Sequence, residues 1–230
     1  MSGRISIGTS GWNYKHWCGP IYPEKCPASE WFGRYAQSFD TVEINNSFYR
    51  LPTENALRHW RDAAPRGFCF AVKASRFITH IKRLRDPQNA IALFFSRVER
   101  LGPKLGPILF QLPPKWHVDA ERLAEFVPTL PKSYRYAFEF RDESWNMPAV
   151  FDLLRRHKMA LCIHDWFGSQ APMEMTTDFT YIRLHGPTGK YRGNYDQRLL
   201  RGWAERIGTW AAHLSHIYVC TSTTTSTVTR

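Results

Sequence analysis

Short apolar runs alternate along the chain with longer stretches that have helical spacing. The runs are rich in β-branched and aromatic residues and too short to be independent helices, so they predict strands. Eight such runs occur, at residues 5–9, 41–45, 68–74, 107–112, 134–140, 160–164, 180–185 and 217–221. Helical spacing covers 54–64, 89–101, 120–129, 148–157 and 199–212.

This alternation predicts parallel βα units joined by right-handed crossovers. Eight units can close into an α/β fold of the (β/α)8 or TIM-barrel type, and 230 residues is near the compact end for that fold. A doubly wound open sheet is the alternative. No GxGxxG follows the first strand, and the count of eight favours closure. We therefore expect a single TIM-barrel domain over residues 1–219.

Composition narrows the class of protein. A hydrophobic share of 43% with 15% aromatic residues excludes a wholly disordered chain. The longest uninterrupted apolar run, 90–95, is far shorter than the ~20 residues that a membrane helix needs. The first residues show no apolar block typical of a secretory signal. These features predict a soluble cytoplasmic protein without a membrane partner.

The net charge of +11 is concentrated in one region, because residues 58–104 hold 11 Lys and Arg against 3 Asp and Glu. Such a region suits phosphate, nucleic acid or another anion, although a solvated basic face is the simpler alternative. The five cysteines include no CxxC pair, so the common zinc and redox spacings are missing. Reduced thiols are expected.

Polar or ionisable side chains follow almost every predicted strand. In a TIM barrel the carboxyl ends of all eight strands open at one face, the mouth, where functional groups gather. In chain order, the residues expected at the mouth are Trp12, Glu43, Asn45, Asn46, Tyr49, Lys73, Gln111, Glu139, Arg141, Trp145, His164, Asp165, Trp166, Arg183 and His185. An ordinary set of strand ends would show one or two such groups.

Glu43, Glu139 and His185 are the candidate catalytic residues. Two carboxylates buried together would drive their pKa values apart, which is the property that acid–base chemistry uses. The alternative is that each glutamate is ion-paired with a neighbouring lysine or arginine.

Lys73, Arg141 and Arg183 suit an anion, since arginine offers a planar fork to phosphate or carboxylate and lysine a compact charge. The segment after Lys73 adds further basic residues in a loop expected on the same face: Arg76, His80, Lys82, Arg83 and Arg85. A small anionic or phosphorylated ligand is predicted. A Schiff-base role for Lys73 is a weaker reading, because no other residue marks a carbonyl substrate.

Aromatic and amide side chains complete the predicted substrate site. Five rings would surround the mouth and could stack on sugars or bases: Trp12, Tyr49, Trp145, Trp166 and Tyr191. Their alternative role is packing under a lid. Asn45, Asn46 and Gln111 would orient the ligand.

The sequence also offers candidate ligands for a divalent metal. The candidate ligands, which form an N/O set suited to Zn²⁺, Mn²⁺ or Mg²⁺, are Glu43, Glu139, His164, Asp165 and His185. The cations nearby oppose a metal unless a phosphate bridges them, and no HxxxH or HExxH pattern is present. No cofactor is certain from the sequence.

Six motifs occur in one order along residues 5–219. They are Gly8-Thr9-Ser10-Gly11-Trp12, Glu43-Ile44-Asn45-Asn46-Ser47-Phe48-Tyr49, Phe70-Ala71-Val72-Lys73-Ala74, Gln111-Leu112-Pro113-Pro114, Glu139-Phe140-Arg141 with Trp145, and Arg183-Leu184-His185-Gly186. Together they resemble the YecE-like family, domain of unknown function 72. The resemblance implies a TIM barrel with a distant likeness to xylose isomerases and endonuclease IV, and it supplies no reaction.

Three functions follow from these residues. The first is an enzyme, a hydrolase or isomerase, acting on a phosphorylated or sugar-like anion at the mouth. The second is nucleic-acid binding or metal-dependent phosphodiester cleavage, and the third is a non-catalytic ligand-binding barrel. Glycoside hydrolysis is disfavoured, because strands four and seven end in Gln111 and His185 and not in carboxylates.

The end of the chain departs from the expected pattern. Residues 221–230 contain six Thr and two Ser, where the resemblance implies paired asparagines and a closing helix. The codons for 220–229 can be chosen so that reading two bases later gives Tyr-Phe-Asn-Asn. We therefore expect 220–230 to be an aberrant tail from a frameshift and the eighth unit to be truncated, with a less stable barrel. Resequencing the gene tests this.

Overall fold

The structure, a computed structural model, describes residues 2–166, 169–187, 193 and 195–222. Eight parallel strands form a closed barrel in which each strand pairs with its neighbours in chain order and the last pairs with the first. The strands are β1 Arg4–Thr9, β2 Thr41–Ile44, β3 Cys69–Lys73, β4 Leu105–Gln111, β5 Tyr136–Glu139, β6 Ala160–Trp166, β7 Phe179–Leu184 and β8 His216–Thr221. A two-residue strand, Ser169–Gln170, pairs antiparallel with the end of β6.

Helices pack around this barrel. They are α1 Trp31–Ser38, α2 Asn46–Tyr49, α3 Glu54–Ala63, α4 Gln88–Val98, α5 Ala120–Phe126, α6 Pro148–Arg156 and α7 Gln197–Ala211. The side chains of Thr53, Asp119 and Asp196 cap α3, α5 and α7, because each accepts a hydrogen bond from a backbone N–H of the first turn.

The predicted TIM barrel and its eight strands are confirmed, and the five predicted helices are present with shifted ends. The predicted helix 89–101 ends at Val98 and continues as a 3₁₀ segment, Glu99–Lys104, in which Gly102 has a φ of 55°. The predicted helix 120–129 ends at Phe126 because Pro128 lacks the N–H that would continue it. Helix α1 was not predicted, since its ring-rich sequence has weak helix propensity.

Two apolar layers hold the barrel together. Outward side chains of β2 to β5 pack against the helices in an aromatic-rich core, with Phe70, Phe110 and Phe138 fully buried. Inside the barrel, residues on β3 to β6, all small except Leu109, pack with the large rings of Tyr181 and Tyr218. All five cysteines are free thiols, as expected.

Strand β1 differs from its neighbours because its outward side chains are not covered. Ile5 and Ile7 are 38% and 49% exposed, whereas Val42 and Ile44 on β2 are buried. Within the described residues, no helix packs over β1 as α7 packs over β7 and β8.

The predicted tail beyond residue 222 lies outside the described residues, so the frameshift remains a prediction. In the described part of the chain, no helix has the length and apolarity needed to cross a membrane.

Candidate functional site

Arg183 on β7 joins the two strand-end glutamates at the mouth of the barrel. Its Nη2 lies 2.6 Å from Oε1 of Glu43 on β2, and its Nη1 lies 2.6 Å from Oε2 of Glu139 on β5. All three side chains are almost completely buried. The parallel strands therefore bring together residues separated by up to 140 positions, and a guanidinium occupies the space between the carboxylates.

Other polar groups complete the shell of each carboxylate. Glu43 accepts hydrogen bonds from the Tyr181 hydroxyl at 2.9 Å and the Ser10 hydroxyl at 3.1 Å. Glu139 forms a second ion pair with Arg141. Tyr181 was not among the predicted site residues, although the alternation along β7 puts it on the same face as Arg183.

Both glutamates are ionised, and this corrects one expectation. Burial by itself would raise their pKa values, but Arg183 together with Lys73 lowers the pKa of Glu43. Arg141 and Arg183 likewise lower the pKa of Glu139 well below its usual value. The prediction that the two carboxylates drive their pKa values apart is wrong, because Arg183 lies between them; the ion-paired alternative describes the structure.

Lys73, the last residue of β3, is the cation in this cluster without an acceptor. Among the described residues, no oxygen or nitrogen accepts a hydrogen bond from its ammonium group, which lies 4.2 Å from the centre of the Phe48 ring. Burial, followed by the positive charge of Arg183, lowers the pKa of Lys73 to about 8. A partly buried ammonium group that lacks an acceptor favours an incoming anion.

His185 and Asp165 form a neighbouring polar pair. Asp165 accepts hydrogen bonds from the His185 backbone N–H at 2.6 Å and from the Tyr195 hydroxyl. The His185 ring lies 3.0 Å from Arg141 Nη2 and 3.1 Å from the Ser222 hydroxyl. Burial, which outweighs Glu139, lowers the pKa of His185 to about 4, so its ring is neutral at pH 7.

The predicted metal ligands do not form a metal site here. Among the described residues, no group of three or more His, Cys, Asp or Glu side chains is arranged to hold a metal ion. Glu43 and Glu139 bind guanidinium groups, and His164 donates from Nε2 to the Phe140 carbonyl at 2.9 Å. A metal would have to displace these partners, so the donor set does not fit one.

The aromatic side chains that were predicted to surround the mouth include both buried and exposed residues. Trp12 packs on Phe32 and Trp60, and the indole of Trp145 is fully buried with its N–H 2.6 Å from the Trp116 carbonyl. Tyr49 is 75% exposed. Trp12 and Trp145 therefore have the alternative role, packing, and do not line an open binding surface. The Trp166 side chain and Tyr191 lie outside the described residues.

The predicted amides are split between the rim and a small cavity. A cavity of about 150 Å³ opens beside Glu43 and is lined by Asn45 and Asn46. The Asn45 side chain donates to the Ser10 carbonyl at 3.3 Å, while Asn46 is exposed. Gln111 lies at the end of β4, with its carbonyl oxygen 3.5 Å from Arg183.

The basic loop after β3 lies beside Lys73, as expected. It begins with a π-helical turn, Phe77–Ile81, whose His80 ring packs on Phe48. Arg83, Leu84 and Asp86 then adopt positive φ values of 47°, 66° and 42°. Residues other than glycine rarely adopt such φ values. Both π-helical turns and backbone strain concentrate at functional sites.

Comparison with known proteins agrees with this fold. The family model described as "Protein of unknown function DUF72" matches residues 6–228, and the chain belongs to this family. The chain is 31% identical over 140 residues to the UPF0759 protein YecE of Escherichia coli, a match covering 60% of this chain and 48% of YecE. It thus spans about half the length of that relative. The UPF0759 protein YunF of Bacillus subtilis is 26% identical over 248 residues, covering 94% and 87% of the two chains.

Solved structures of the family share the barrel. A DUF72 family protein from Thermotoga maritima superimposes with a TM-score of 0.84 at 25% identity, covering 95% of this chain and 92% of that one. A DUF72 family protein from Enterococcus faecalis gives a TM-score of 0.81 at 16% identity, covering 95% and 88%. The second likeness shows the fold alone.

Proposed function

We propose that this chain is an enzyme that binds a small anionic substrate, phosphorylated or sugar-like, at the mouth of the barrel. The observation that supports the proposal is the Lys73 ammonium group, which is partly buried beside Arg183 and has no acceptor among the described residues. A phosphate or carboxylate oxygen would supply that acceptor and complete the cluster.

The remaining residues of the cluster have separate tasks in this proposal. Arg183, Glu43 and Glu139 fix one another and hold the mouth in a single geometry. Lys73 can transfer a proton near neutral pH, because its pKa of about 8 is close to the working range of a general acid or base. In this proposal the glutamates stay ionised and orient the arginines.

A thermal-shift screen tests the binding step. Phosphorylated and carboxylated sugars and small acids are added to the wild-type chain, since any ligand that binds only the folded state raises its melting temperature. We expect a stabilising hit that is weakened about tenfold by Lys73→Met and retained by Lys73→Arg. No stabilisation by any anion, or equal stabilisation of the Lys73→Met variant, contradicts the proposal.

Turnover separates an enzyme from a non-catalytic binding barrel. With a ligand in hand, Lys73→Arg is expected to bind it and to lose the reaction, because arginine keeps the charge but does not release a proton near neutral pH. Glu139→Gln, checked for folding by circular dichroism, tests whether an ionised carboxylate is needed. A ligand that is never consumed by the wild-type protein supports the binding barrel instead.

The rim of the mouth favours nucleic-acid binding as a second candidate. Tyr49 and Phe77 are exposed aromatic rings, and Arg76 and Arg83 on the loop after β3 are exposed arginines. Such a combination can stack on unpaired bases while neutralising their phosphates. Retention of single-stranded DNA or RNA that falls steeply with salt, and that is lost in Tyr49→Ala with Phe77→Ala, is expected for this candidate. Salt-independent or absent retention removes it.

A further inference from the structure

A larger cavity lies at the opposite end of the barrel, where the strands begin. This end, the base, holds a cavity of about 520 Å³, within the usual size of small-molecule sites. Its walls come from the starts of four strands, including Arg4 of β1, Cys69 of β3 and His216 of β8, and from the residues just before β5. The residues of the mouth do not line it.

The cations that line the base are not balanced by carboxylates. Arg4, Arg66, Lys104 and Arg135 all face the cavity, and the described residues that line it include no Asp or Glu. Among the described residues, none of the four takes part in an ion pair. Four uncompensated cations around one concave space create a positive potential that attracts anions.

Neighbouring groups hold three of these cations in place. Arg4 donates to the Gly67 carbonyl at 2.5 Å, and Lys104 donates to the carbonyls of Arg61, at 2.6 Å, and Ala64 at the end of α3. Arg135 donates to the Tyr218 hydroxyl at 3.0 Å. The two arginines keep most of their five N–H groups, whereas Lys104 uses two of its three.

Arg66 has no hydrogen bond or ion pair with another described residue and is exposed at the rim. It can therefore turn toward a ligand without losing an existing contact.

The inner wall is built from stacked, neutral groups. His216 stacks on the Tyr218 ring at 3.9 Å, and its Nε2 lies 2.8 Å from the Ser6 hydroxyl. Burial, reinforced by the arginines of the base, lowers the pKa of His216 to about 4, so it adds no charge at pH 7. At the outer edge, Tyr134 donates its hydroxyl to Glu99 at 3.0 Å. The charge in the cavity is that of the four cations.

A glycine keeps the cavity open. The cavity wall includes Gly106 on β4, where an added Cβ would come within 2.2 Å of the Cys69 Sγ. Any larger residue would push into the cavity or displace β3.

We propose that the base is a second anion site, which binds the di- or triphosphate group of a small molecule. A chain of two or three phosphates carries several negative charges along a short length, and this matches cations spread around a cavity better than a single carboxylate does. Three of the four cations are arginines, whose planar forks bind phosphate oxygens in pairs. The proposal does not depend on the function proposed for the mouth.

Calorimetric titration with sodium tripolyphosphate and pyrophosphate, at constant ionic strength, tests the site. Arg66→Ala and Arg135→Ala are each expected to weaken binding about tenfold, and the double variant to abolish it. Arg201→Ala, which removes an exposed arginine of α7 outside the cavity, is the matched control and should bind like the wild type. Lys73→Met should also retain binding, which separates the base from the mouth.

Several outcomes overturn the proposal. Unchanged binding in the double variant does so, as does a loss in Lys73→Met equal to that in Arg66→Ala, or sulfate binding as tightly as tripolyphosphate. Arg66 has no hydrogen bond or ion pair with another described residue, so its variant should not melt below the wild type and remains informative if Arg135→Ala unfolds. A nucleoside triphosphate is then titrated: an affinity equal to that of tripolyphosphate supports recognition of the phosphates alone, and a tighter affinity supports an added contact with Tyr134.

Discussion

The two ends of the barrel both concentrate cations, but they handle them in opposite ways. At the mouth, Arg183 and Arg141 are buried and paired with Glu43 and Glu139. At the base, Arg4, Arg66 and Arg135 are exposed and have no carboxylate partner among the described residues. The same side-chain chemistry therefore produces a rigid ionic cluster at one end and an open positive cavity at the other.

The difference follows from burial. A buried charge without a partner costs several kcal/mol, so the interior of the mouth requires its carboxylates. An exposed cation is solvated and needs no partner, so the base can leave its charges available. Lys73 is the exception at the mouth, since it is mostly buried and has no acceptor in the described part of the chain. That exception marks the place at the mouth where a ligand is expected.

The largest expected effect is the loss of Arg183. Arg183→Met leaves two buried carboxylates facing each other, and we expect it to lower the free energy of unfolding by about 3–5 kcal/mol. Urea unfolding followed by circular dichroism measures this. Arg135→Met at the base is the matched control, with an expected change of about 1 kcal/mol or less. Equal losses of unfolding free energy in both variants would contradict the difference in burial between the mouth and the base.

The next effect concerns pH and Lys73. Its pKa is about 8 in the folded chain and 10.5 in an unfolded one, so below pH 8 it is protonated in both states and the cost of burying its charge is fully present. As the pH rises from 8 to 10.5 the folded state releases the proton first, and stability increases. Relative to Lys73→Met, the wild type should gain on the order of 1–2 kcal/mol over this window. Parallel pH profiles for the two chains would contradict the placement of Lys73.

Acid should destabilise both ends through histidine. The pKa values of His185 at the mouth and His216 at the base are about 4, against 6.5 when unfolded. Both are neutral in either state above pH 6.5, and stability falls as the pH drops from 6.5 to 4 because the unfolded chain binds the protons. The glutamates contribute little above about pH 5.5, where their unfolded forms are also mostly ionised. His185→Gln and His216→Gln should each flatten the slope of the unfolding free energy between pH 6.5 and 4.5, and an unchanged slope counts against the burial of that histidine.

The smallest expected effect is at Arg66. Arg66→Ala removes an exposed charge that has no hydrogen bond or ion pair with a described residue, and it should change the free energy of unfolding by less than about 0.5 kcal/mol in the absence of ligand. Removing one like charge from the base should raise the melting temperature slightly at low salt. A clear drop in melting temperature would mean that Arg66 has a structural partner.

The sequence allowed prediction of the strands and of most mouth residues, because short apolar runs rich in β-branched and aromatic residues, and the polar groups that follow them, are local features. It also placed Glu43, Lys73, Glu139 and Arg183 at one end of one barrel, where the structure has them. It did not determine which of them are partners. The bridge by Arg183 depends on the closure of the barrel, which joins strands far apart in the chain.

Trp145 and the base likewise show features that the sequence did not determine. A tryptophan after β5 could stack on a ligand or pack inside, and only the position of the Trp116 carbonyl, which accepts its indole N–H, decided for packing. The basic residues of 58–104 gave one local excess of charge, but the fold divides them between the mouth, with Lys73 and Arg76, and the base, with Arg66 and Lys104.

The sequence by itself thus determined the class of fold, the residues at the strand ends and the sign of the charge. The tertiary structure decided which charges are neutralised, which rings are buried and which end of the barrel is left positive. The physical reason is that secondary structure and net charge depend on neighbours in the chain, whereas pairing, burial and pKa depend on neighbours in space.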